Sequence, residues 1–118
     1  MTVTSEKGTQ MTIHRDGQWL VATRTEHVAC EREQGMYRLS LLPQQLVTAS
    51  QAVAGLAIAE IVDQWGPLLW ETNPNTAMVW SLIGMHARTL GLDALDAVIR
   101  VQQSEWPMTA AERAEWTR

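Results

Sequence analysis

The sequence predicts an α+β fold: a small N-terminal antiparallel β-meander of three or four strands, then three α-helices and a short C-terminal helix. Three observations carry that prediction. Met11–Arg15 and Met36–Leu42 alternate apolar and polar side chains, the period of a half-buried strand, within a stretch punctuated by turn signals. From Pro43 onward the apolar spacing is helical. Strands therefore precede helices instead of alternating with them, which favours α+β over α/β.

The elements follow in chain order. Residues 1–10, MTVTSEKGTQ, are polar and read as a flexible tail, leaving 11–118 as one α+β domain. Met11–Arg15 alternates, with Met11 and Ile13 on one face. Asp16-Gly17 then marks a two-residue hairpin, because both central positions of such a turn need positive φ. Gln18–Thr25 supplies the second strand. Residues 26–34 fit either a polar strand or a loop. After Gly35, Met36–Leu42 alternates again, with Tyr37, Leu39 and Leu41 on one face.

The helices have clearer ends. Helix one starts near Pro43 or at Thr48, where Thr48-x-x-Gln51 matches a capping box. It ends at Trp65, since Gly66 accepts a positive φ and Pro67 cannot continue a helix. Its middle, AVAGLAIAEIV, is apolar nearly all round, the pattern of a helix buried on several sides. Helix two has Asn73 as N-cap, Pro74 at the first helical position and Gly91 past its end. Its apolar set, Met78, Val79, Trp80, Leu82, Ile83, Met85 and Leu90, is wider than one stripe. Helix three runs from Asp93 to about Glu105, where Pro107 stops it. Thr109-x-x-Glu112 opens a short last helix.

Composition limits the function classes. With 118 residues, 46% of them hydrophobic and 19% charged, the chain fits one globular domain with its own core. A single cysteine, Cys30, permits no intrachain disulfide and suits a reducing compartment. The N-terminus lacks a cationic start followed by an apolar run. The longest greasy stretch, Ala52–Val62, falls short of the ~20 residues a bilayer span needs. The sequence thus reads as cytoplasmic, without a membrane. Net charge is −4 and the cations are scattered, so no basic patch tracks a phosphate backbone.

Candidate chemistry is sparse. His14, His27 and His86 stand far apart, and no Cys-x-x-Cys or His-Glu-x-x-His spacing exists, so no metal site is expected. His27 and Cys30, three apart, would point to opposite faces of a strand. No Gly-rich phosphate loop is present and no cofactor is expected. Glu60 and His86 break the apolar faces of helices one and two. As a buried carboxylate near an imidazole they would form an acid/base pair. Each equally fits the solvent edge of its helix. A pocket between the sheet and helix one, lined by Glu60, His86, Trp19 and Tyr37, is the enzyme or small-molecule reading.

A tight Leu90-Gly91-Leu92 turn joins helices two and three, as in a helix-turn-helix. The second helix would then present Asp93 and Asp96 to phosphate, which argues against nucleic acid. The more suggestive feature is Trp65–Trp70, WGPLLW, where a polar turn is expected. The chain holds six Trp, one Tyr and no Phe, and Trp serves both cores and interface centres. The leading reading is a non-catalytic protein-interaction module that self-associates: an adaptor, an inhibitor or immunity-type protein, or an assembly accessory. Its interface would use Trp65, Leu68, Leu69 and Trp70, with Trp106 and Trp116. Small residues of helix one, Ala49, Ala52, Gly55 and Ala59, would permit close helix–helix approach or simply tight packing within the chain.

Overall fold

A five-stranded antiparallel sheet in the order β1-β2-β3-β4-β5 is followed by three α-helices in the computed structural model, which describes residues 13–22, 25, 27–103 and 115. This is the α+β class. The tail, Met11, Trp106, Trp116 and, Glu115 aside, the segment expected to form a last helix lie outside the described residues.

The strands are β1 Ile13–Asp16, β2 Trp19–Ala22, β3 Val28–Glu33, β4 Met36–Leu39 and β5 Leu42–Thr48. Residues 28–33 settle the strand-or-loop ambiguity as strand. The first hairpin closes one residue later than Asp16-Gly17 suggests: Asp16 pairs with Trp19, so Gly17 and Gln18 form the loop. Gly17 takes φ 65 at its first position, where a side chain would be strained.

The sheet has five strands where three or four were expected. Leu42–Thr48 is a strand, although the sequence places the start of helical character at Pro43. LPQQLVT has no period-two alternation to announce it, and proline is tolerated because β5 is an edge strand. Helix α1, Ala49–Trp65, begins directly after it. Thr48 closes the expected capping box: its Oγ1 accepts from the Gln51 N–H at 3.2 Å, and the Gln51 side chain accepts from the Thr48 N–H at 2.9 Å.

Helix α2 spans Pro74–Leu90 and α3 spans Ala94–Gln103. Helix α1 is the middle layer. One side packs on the inner sheet face, formed by Leu20, Ala22, Ala29, Tyr37, Leu39 and Val47; α2 and α3 cover the other. That position explains a helix buried from Ala54 through Val62 with no polar stripe. Gly55 answers the small-residue question at its own position. A β-carbon there would lie 2.5 Å from Leu39 Cδ2, so the missing side chain admits the sheet and not a second helix.

The stretch Ala49–Trp70 is long and apolar enough to cross a membrane, but 61% of its most apolar 18-residue window is buried inside the protein. It is a core helix by position. Pro67 does not leave an open loop: Gly66–Trp70 winds into a 3-10 turn.

Candidate protein-interaction surface

Helix α2 is fixed at both ends by its own sequence. Asn73 Oδ1 accepts from the N–H groups of Asn75 and Thr76 at 2.9 and 3.1 Å, satisfying donors the helix cannot. Gly91 ends it at φ 77 and ψ 22, the left-handed conformation glycine adopts without penalty. Thr76, Ile83, Ala87 and Leu90 are buried toward the core.

The opposite side of α2 is apolar as well. Met78, Leu82 and Met85, spaced i, i+4 and i+7, form one row, and Met78 and Met85 are 73% and 62% exposed. Beside that row runs a second one of small residues, Ala77, Ser81 and Gly84, each one position earlier. Among the described residues, no heavy atom beyond the helix's own backbone and the two neighbouring residues lies within 4 Å of a β-carbon placed on Gly84, so this flank is open there. Residues 72–87 contain no Asp, Glu, Lys or Arg. The exposed charges that bound the stretch are Glu71 before it and Arg88 after it. An outward helix face ordinarily carries charge; this one is apolar and uncharged.

The 3-10 turn extends the apolar surface. Leu69 is buried, and its carbonyl accepts a hydrogen bond from Trp80 Nε1 at 2.9 Å. The Trp70 ring packs on Trp80, with centroids 5.7 Å apart and planes tilted by 57°. These contacts pin the turn on α2 and leave Leu68 and Trp70 outside, 47% and 53% exposed. The six residues proposed from sequence are therefore placed differently: Trp65 half-buried, Leu69 in the core, Leu68 and Trp70 exposed, Trp106 and Trp116 not described. Met78, Leu82 and Met85 were not in that set, although helix two had read as apolar beyond one stripe. The charge-free run around them was the available signal.

Two of the proposed pocket residues, Trp19 and Tyr37, lie on opposite faces of the sheet. Trp19 pairs with Cys30, which pairs with Arg38, all on the outer sheet face. Tyr37, next to Arg38, points to the inner face and is buried. There the Arg15 guanidinium donates to the Tyr37 hydroxyl and, at 3.4 Å, to Glu31. Glu60 is buried within α1, and His86 is half-buried on α2, where desolvation pushes its imidazole below the ordinary pKa of 6.5. Leu39 on the inner face and Leu56 and Ile58 of α1 are fully buried. A half-open groove of about 510 Å³ lies elsewhere, between residues 42–45 of β5 and the α2–α3 turn at residues 90–92, with Arg100 on its rim. Arg100 also bonds Asp96 at 3.2 Å on the exposed side of α3.

A buried polar pair does occur. His27 Nδ1 lies 2.8 Å from Ser40 Oγ, which accepts from the Val28 N–H at 3.0 Å. Burial pushes the His27 imidazole below 6.5, opposed by a hydrogen bond to the Val101 backbone in the last turn of α3. The arrangement joins the start of β3 to the end of α3 and has the character of a structural tie. Among the described residues, no three of His, Cys, Asp and Glu gather closely enough to hold a metal ion. Compared with known proteins, the chain matches no family model, no curated protein and no solved structure.

Proposed function

We propose that this protein is a non-catalytic interaction module that self-associates and acts by binding protein, with the outward face of α2 and the adjoining 3-10 turn as its contact surface. The observation that carries this reading is the uncharged apolar row Met78, Leu82 and Met85 on the side of α2 away from the core. Solvent gives no reason for two methionines at such exposure on a helix already anchored by its inner side. Methionine is also the side chain that adapts most readily to a partner surface. Leu68 and Trp70 enlarge the same apolar region at the helix start, and tryptophan is enriched at interface centres.

The test is sedimentation equilibrium through the micromolar range on the wild-type chain and on Met78→Lys/Met85→Lys. The expected result is a wild-type mass above the 13.2 kDa of one chain and a variant of unchanged circular dichroism that sediments as a monomer. A wild-type chain that stays monomeric at high micromolar concentration overturns the self-association.

A further inference from the structure

Resting on that reading, we infer that the occupant of the α2 face is α2 of a second copy, running antiparallel about a two-fold axis near Ser81 and Leu82. Three features of the helix meet in this arrangement. The exposed row reads Met78, Leu82, Met85, and so presents the same residue types in the same order from either end. Turning a second copy over sets Met78 of each chain beside Met85 of the other, with the two leucines at the centre. The row is thus self-complementary, as a two-fold contact requires.

The flank supplies the close approach. In an antiparallel pair, the same side of each helix faces its own copy. Ala77, Ser81 and Gly84 of one chain then lie against the small row of the other, and no bulky side chain holds the backbones apart.

Charge decides the direction. The apolar stretch is bounded by Glu71 at one end and Arg88 at the other, both exposed. Antiparallel pairing brings Arg88 of each chain to the Glu71 end of its mate. Parallel pairing sets Glu71 beside Glu71 and Arg88 beside Arg88, which repel. Between the ends no charge has to be desolvated, because residues 72–87 contain no Asp, Glu, Lys or Arg, and burial of His86 disfavours its charged form. One 17-residue helix pair, about 25 Å long, sits at the small end of the interface range, a contact that suits a reversible dimer.

Cysteine cross-linking tests the direction separately from the association. Ser81→Cys stands at the axis, whereas Ala77→Cys on the same row lies a helical turn away from it. The native Cys30 is fully buried and does not interfere. Under mild oxidation, Ser81→Cys is expected to give covalent dimers and Ala77→Cys to remain monomeric. If both cross-link, the helices run parallel and the inference falls. If neither does while wild type still sediments as a dimer, another surface holds the copies together; the inference falls and self-association stands. Wild type that never exceeds one chain removes both. As a second arm, Met85→Lys is expected to raise the dimer dissociation constant by about thirtyfold or more. Glu71→Arg and Arg88→Glu should each weaken the dimer several-fold, and the double exchange should recover most of the loss. No recovery in the double variant overturns the antiparallel charge pairing.

Discussion

Leu39 on β4 occupies the space where a side chain on Gly55 of α1 would stand: its Cδ2 lies 2.5 Å from the position of a β-carbon there. Leu39 is itself fully buried, so moving it disturbs the core packed around it. The central helix is therefore held against the sheet by the absence of a methyl group.

Gly55→Ala puts that relationship to the test, with Gly84→Ala as its control. Alanine is favoured over glycine inside a helix by about 1 kcal/mol. At Gly84 nothing opposes this gain, and the variant should unfold at higher urea. At Gly55 overpacking costs roughly 1–3 kcal/mol, which cancels or exceeds it. Urea titrations in dilute solution, where association contributes little, should rank Gly84→Ala above wild type and Gly55→Ala below. A Gly55→Ala variant as stable as Gly84→Ala would mean that Leu39 yields.

The Trp80–Leu69 hydrogen bond should fix the 3-10 turn. Trp80→Phe removes the indole donor, leaves a buried carbonyl without its partner and loosens the contact with Trp70. The expected destabilisation is about 1–3 kcal/mol in a denaturant titration. The near-ultraviolet circular dichroism contributed by the packed indoles should fall with it. An unchanged spectrum would show that Trp70 is held by other contacts.

Stability should fall on mild acidification. Burial depresses the folded-state pKa of both His27 and His86 below 6.5. The unfolded chain takes up protons as the pH drops through about 6.5, while the folded chain resists until its lower pKa values are reached. Stability is therefore flat above that point and declines below it. Melting temperatures at about pH 7.5 and about pH 5.5 should differ more for wild type than for His27→Gln, which removes one of the two titrations. Equal differences would assign the pH dependence to other groups.

Thr48→Ala should destabilise the protein by about 1 kcal/mol, because it opens the capping box at the start of α1. Thr48→Ser keeps the acceptor oxygen and should restore most of that loss. Thermal melts of the three chains are sufficient, and equal melting points for Thr48→Ala and wild type would deny the cap a stabilising role.

Where side chains carry the instruction locally, the fold was legible. Asn73-Pro74 and Gly91 mark the ends of α2, Thr48 and Gln51 mark the start of α1, and AVAGLAIAEIV announces a helix covered on several sides. Strand β5 was not legible, since four of its seven residues face solvent in succession and its proline suits an edge, a position that only the assembled sheet defines. The Trp65–Trp70 segment was legible as unusual but not as divided: only its winding into a 3-10 turn decides that Leu69 enters the core while Leu68 and Trp70 stay out. Trp19 and Tyr37 seemed available to one pocket because the alternation within each strand does not say how β2 and β4 register across β3.

Every strand in the sheet neighbours the one before it along the chain. Few distant segments must meet early, so the entropy of closing long loops is not an obstacle to the first half of the molecule. The hairpins can zip in succession during synthesis, from β1 toward β5. Because β5 runs without a linker into α1, completing the last strand delivers the start of the helix to the edge of the surface it must cover.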